Sequence, residues 1–173
     1  MPTIITHAVF SGTAGWSWTS GKRGTVLAGI LISILPDLDV VAFAFGIPYR
    51  HPLGHRGITH SLAFAALSAS VALAVVRRAD GASLRSWLFL FVAAASHPLL
   101  DAFTNGGRGV ALLAPFSNER FFAPFRPIEV SPIGLEAFLS PRGVEVLLSE
   151  FVWVWIPTFA VVAVVRLASR YRL

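Results

Sequence analysis

GHRGITHSLAFAALSASVALAVVRR, residues 54–78, carries the fold in miniature. Two histidines, an arginine and a threonine stand at the lip of an apolar run that closes on an arginine pair. The run 57–76 holds 20 residues and as a helix measures about 30 Å, the thickness of a bilayer's hydrocarbon core. The segment therefore reads as a membrane span with a polar, histidine-bearing end and a basic end.

Working outward, three more runs have this character. Residues 24–35 continue through PDLD into the apolar VVAFAFGI, 83–100 matches the first run in length, and 151–165 extends backward into VEVLLSE. Residues 3–18 form a fifth, weaker candidate, interrupted by His7 and two glycines. Composition agrees: 55% of the 173 residues are hydrophobic and 13% charged, against about 25% charged in soluble domains. Mean hydropathy is +0.69. The fold class expected is all-α, a single membrane-embedded domain over 1–173 with four to five transmembrane helices. The alternative, a soluble bundle, would leave too little polar surface to cover so many apolar runs.

Residues 102–142, punctuated by prolines 115, 124, 127, 132 and 141, cannot form a long helix. The segment is too apolar for a flexible linker and reads as a folded cap on the membrane face, with Phe121, Phe122 and Phe125 at the interface. MPTIITHAVF has neither a charged leader nor a cleavage site, so a cleavable signal peptide is not expected.

The net charge of +5 sits at the ends of apolar runs: Lys22 and Arg23, Arg77 and Arg78, Arg85, then Arg166, Arg170 and Arg172. That is the pattern of membrane topology, and no basic stripe interleaved with aromatics supports nucleic-acid binding. With these residues cytoplasmic, the helices alternate in direction, and Asp37, His60, His97 and Asp101 all fall at the opposite, non-cytoplasmic end. His7 joins them if residues 3–18 also cross. A placement derived from arginines thus gathers the histidines and acids.

Cysteine is absent, so any metal must be held by nitrogen and oxygen. His97 and Asp101 are spaced i, i+4 and share a helix face, although Pro98 is expected to kink or restart that helix. Asp37 and Asp39 would diverge on a regular helix, but Pro36 permits an irregular turn on which both converge. Acids in so apolar a setting are costly and mark function. His55 and His60 do not share a helix face, and Gly54 and Gly57 allow a sharp turn that returns one toward the other. Thr59 or Ser61 is available to cap a helix or to support a ligand, and His51 is read as a loop residue. Arg56 carries a fork suited to an anion, either an aspartate or a substrate group, and substrate is the expected partner.

The candidate ligands are therefore His7, Asp37, Asp39, His55, His60, His97 and Asp101. Seven are too many for one four-coordinate ion and suit two ions sharing carboxylates. Imidazole with carboxylate fits zinc, manganese or iron better than calcium or magnesium. Such a site activates water against an ester or phosphoester, with Asp37 or Asp39 as base or bridging ligand and Arg56 holding a small or lipid-like anionic substrate. A transporter using the same cluster, or a protein merely stapled by metal, are the rival readings; a transport site belongs near the bilayer midplane.

Together the Thr-His pair near the N-terminus, PDLD, GHRGITHS, SHPLLDAFTNGG and LLAPFSNERFF resemble the bacterial membrane-bound metal-dependent hydrolases, a family that includes a LexA-regulated inner-membrane protein. The resemblance covers roughly the first two thirds of the chain. It implies a multi-pass inner-membrane protein with these acids and histidines as metal ligands, and it leaves the substrate open. The spacing H-P-x-x-D is also similar to that of helical zinc phospholipases, a hint toward lipid or phosphoester substrates.

Overall fold

A computed structural model describes residues 1–171; Arg172, counted above among the basic residues, lies outside them. Thr3 caps the first helix, α1 (Ile4–Trp18), by accepting a hydrogen bond from the Thr6 amide. The left-handed pair Ser20 and Gly21 reverses the chain into α2 (Arg23–Ile34). Pro36 then lacks the amide that an α-helix would use, and the chain tightens into a 3-10 segment, Leu35–Phe45, closed by Gly46 in the left-handed region. A loop leads through a short 3-10 turn, Ile58–His60, to α3 (Leu62–Asp80), which Ser61 caps. Ser83 caps α4 (Leu84–Ala102), which runs through Pro98 without restarting. After the cap come α5 (Leu135–Phe138), α6 (Pro141–Glu150), a π turn over Phe151–Trp155, and α7 (Ile156–Arg170).

Among the described residues, three stretches are long and apolar enough to cross a membrane: Arg23–Phe45, Leu62–Asp80 and Pro141–Arg170. Of the further spans expected from sequence, α1 is only 15 residues long, and α4 carries Arg85, His97 and Asp101. Instead α4 is the enclosed helix of the bundle, with an unbroken buried run from Ala93 to Pro98. Large apolar side chains point outward, among them Leu27, Leu31, Val71, Val75, Val161 and Val164, while the centre is built from Ala65, Ala69, Ala72, Ala93 and Ala94. Small residues inside and large ones outside suit a bundle whose surroundings are as apolar as its core. Phe89 shows how closely the helices approach. A Cβ at Gly15 or Gly29 would lie 2.5 or 2.6 Å from its ring, so glycine on α1 and α2 makes room for it.

Polar contacts fix the direction of each helix. Lys22 Nζ donates to the Asp80 carbonyl at 2.7 Å, and the Asp80 carboxylate accepts from both the amide and hydroxyl of Thr25. The start of α2 therefore meets the end of α3. Trp18, Arg85 and Val165 line one groove, which adds the end of α1, the start of α4 and the end of α7 to that basic pole. At the other pole the start of α1, the end of α2 and the end of α4 meet through His7, Ser33 and His97.

Residues 103–140 lie over this second pole. Ala123 donates to the Ala102 carbonyl, Leu62 to that of Leu112, and Ser131 to that of Met1. Two isolated bridges, Thr104 with Ile128 and Val110 with Phe121, are its only extended pairings among the described residues. Buried Val110, Ala111, Ala114 and Ile128 make it a folded cap. Of its interface phenylalanines, Phe125 is exposed and packs edge-on against Trp153, whereas Phe121 and Phe122 are half-buried.

Candidate metal centre

Four elements deliver five side chains to one buried point. α1 brings His7, the 3-10 segment Asp37, the Ile58–His60 turn His60, and α4 both His97 and Asp101; none is more than 3% exposed. The two histidine Nε2 atoms of His60 and His97 stand 3.1 Å apart. Asp37 Oδ1 lies 3.3 Å from His97 Nε2, and Asp101 Oδ2 lies 3.4 Å from His60 Nε2. His7 stacks on His97 with ring centroids 3.8 Å apart, and its Nε2 is 3.9 Å from Asp101 Oδ1.

The outer ring nitrogens decide what those inner atoms are. His97 Nδ1 sits 2.7 Å from the Ser33 carbonyl, which can only accept, so that nitrogen carries the proton. His60 Nδ1 faces Asp39 Oδ2 at 3.1 Å and is likewise a donor. In neutral imidazoles both Nε2 atoms then present lone pairs, and they present them to each other and to two carboxylates. No hydrogen-bond partner exists for either oxygen of Asp37 or Asp101, nor for either nitrogen of His7. So many buried acceptors, answered only by Arg56 beside Asp101, are unfavourable unless a further cation stands among them.

Asp39 and His55 occupy a different position. Asp39 Oδ1 meets His55 Nδ1 at 2.6 Å, while Oδ2 accepts from the Arg56 amide and from the Thr59 hydroxyl at 3.0 and 2.7 Å. Both are among the seven candidate ligands that the sequence offers. In the structure they form a trio with His60, and the Asp39 carboxylate in that trio is already hydrogen-bonded. The glycine turn that brings them together is as tight as expected. A Cβ at Gly57 would lie 2.1 Å from the Pro52 carbonyl oxygen, and the His55 and His60 rings end 5.5 Å apart. The roles of the two hydroxyls divide, Thr59 supporting Asp39 and Ser61 capping α3.

Arg56 is 1% exposed and sits in the left-handed region at φ 61°. Its Nε lies 3.0 Å from Asp101 Oδ2, and its two amino groups donate to the Gly106 carbonyl and the Thr104 hydroxyl at 3.1 Å each. The anion beside it is thus an aspartate of α4, in place of the substrate group expected from sequence. His51 remains exposed in the loop.

Two contributors stand outside the candidate site residues read from the sequence. Arg120 of the cap donates to the carbonyls of Tyr49, His55 and Arg56 and lies over the Tyr49 ring, clamping the loop. Burial there raises the Tyr49 phenol above its ordinary range and lowers the Arg120 guanidinium below its own. Glu150, fully buried, accepts from the Thr3 amide and from the hydroxyls of Thr3 and Thr6 at 2.5–2.6 Å, which ties α1 and hence His7 to α6. Its signal in the sequence is a lone acid within LLSEFVWVWI.

A family model described as YdjM inner membrane protein matches residues 1–172. The chain is 46% identical over 160 residues to the inner membrane protein YbcI of Escherichia coli (strain K12), covering 91% of this chain and 92% of that one. No solved structure matches the chain. Both descriptions place these relatives in the inner membrane, and neither names a reaction.

Proposed function

The chain belongs to the YdjM family of inner membrane proteins, and we propose that it is a metal-dependent hydrolase of an ester or phosphoester. One observation carries the reading: the convergence of His60 Nε2, His97 Nε2, Asp37 Oδ1 and Asp101 Oδ2, with Arg56 Nε beside Asp101 and no hydrogen bond to either oxygen of Asp37. One shared proton would leave His7 and most of the carboxylate oxygens unpartnered. A divalent ion satisfies them together, and the all-nitrogen and oxygen donor set fits zinc, manganese or iron.

His7, Asp37, His60, His97 and Asp101 would hold the ion, which supplies Lewis acidity and an acidified water. Asp39 is the positioning residue that fixes the His60 ring, and the Ser33 carbonyl does the same for His97, the arrangement that raises a ligand histidine's basicity. Asp37 also lines a cleft from the surface, so it faces an approaching substrate and is the residue to accept the proton of the attacking water. As the water oxygen adds to the acyl or phosphoryl centre, the bond to the leaving oxygen breaks, and the alcohol departs with that proton. Arg56 holds Asp101 in place and is not free for substrate.

By the positive-inside rule the basic pole is cytoplasmic and the cluster lies on the non-cytoplasmic side. Its location at one end of the helices supports hydrolysis over transport, which uses the midplane. The test is turnover of carboxylic and phosphate ester panels by the detergent-purified protein loaded with zinc or manganese. Turnover lost in Asp37→Asn is expected; a metal-loaded protein inert toward every ester would overturn the assignment.

A further inference from the structure

At the histidine pole a cleft of about 300 Å³ opens between the start of α1, the 3-10 segment and the turn before α5. Ile4, Ile5, Val40, Ile133, Leu135 and Phe138 form most of its wall, and no lysine, arginine or histidine lines it. Its polar side chains are Thr3, Ser131 and Asp37. Thr3 is already committed to Glu150, which leaves Asp37, 3% exposed and with both oxygens unpartnered, as the reactive group within. The opposite approach to the cluster is closed, because Arg56 and His55 are buried and Arg120 clamps the loop above them. The rim is itself apolar and outward-facing, with Ile4 51% and Leu135 73% exposed.

We propose that this cleft receives an amphiphile, a single apolar chain ending in the ester to be cleaved. The inference rests on the hydrolase reading and narrows it. A multiply charged, water-soluble phosphate finds no basic side chain along these walls, whereas an acyl chain matches them and delivers its ester to Asp37. Water adds to the acyl carbon, the bond from that carbon to the alkoxy oxygen breaks, and a fatty acid and an alcohol result.

The experiment compares p-nitrophenyl esters from acetate to octanoate with the metal-loaded, detergent-purified chain. Each buried methylene is worth about 0.8 kcal/mol, so kcat/KM should rise by about fourfold per methylene until the cleft is filled. Ile133→Trp, which fills the cleft, and Leu135→Asp, which makes its wall polar, should flatten that rise at unchanged metal content. A flat series in the natural sequence would overturn the proposal and leave the hydrolase reading standing. Should no ester be cleaved, the hydrolase reading falls, and a photoreactive decyl hydroxamate decides the cleft separately. It should label the peptide containing residues 131–138, and less so in Ile133→Trp; equal labelling of both proteins would overturn the cleft's role.

Discussion

Asp37 and Asp39 are two residues apart on one 3-10 segment, and their surroundings are opposite. Asp39 is held by His55, Thr59 and the Arg56 amide, so its charge is answered by donors the chain itself provides. Asp37 faces His97 and His60 and has no hydrogen bond to either oxygen. The same contrast separates the partnered His55 outside from the unpartnered His7 within, while Asp101 stands between the two, with Arg56 Nε 3.0 Å from one of its oxygens. A buried acid with its donors in place is scaffold; one without them is shaped for something that must arrive. His60 joins the two, one ring nitrogen on each side.

The contrast breaks most visibly at His97. His97→Ala should abolish stoichiometric metal binding, measured by elemental analysis of purified protein, because it removes a donor shared by the trios His7–Asp37–His97 and His60–His97–Asp101. Asp39→Ala should be milder. It frees the His60 ring without removing a ligand, so metal affinity in a competitive chelator titration should fall about 10- to 100-fold. If Asp39→Ala instead empties the site as completely as His97→Ala, Asp39 is a ligand and the division fails. Arg56→Lys should have the smallest effect on metal. It keeps a charge for Asp101 but loses the fork to Thr104 and Gly106, and about 1.5–3 kcal/mol of stability with each such bond, seen as a lower thermal midpoint in detergent.

What the sequence made legible follows from which forces are local. Apolar runs with arginines at their ends announce spans, and their alternation gathers all seven candidate ligands at one pole, Asp39 and His55 together with His7, Asp37, His60, His97 and Asp101. The enclosed state of α4 is less visible, since its Leu, Phe and Ala content resembles that of an outward-facing helix until packing is known. Asp39 and Asp37 cannot be told apart in PDLD, because their difference lies in donors from residues 55–59. Arg56 meets Asp101 only where the loop before α3 packs on the end of α4, and neither Arg120 nor Glu150 sits in a pattern that names its distant partner.

The most direct test of the account is X-ray absorption on the natural sequence after loading with zinc and removal of excess ion. The account predicts bound zinc with only nitrogen and oxygen at about 2.0–2.2 Å, an imidazole scattering pattern, and one ion per chain. Two ions per chain would move Asp39 and His55 into the ligand set. A chain that retains no zinc, and no manganese or iron when these are offered in its place, would contradict the central claim that the inner acids and histidines are built around a metal.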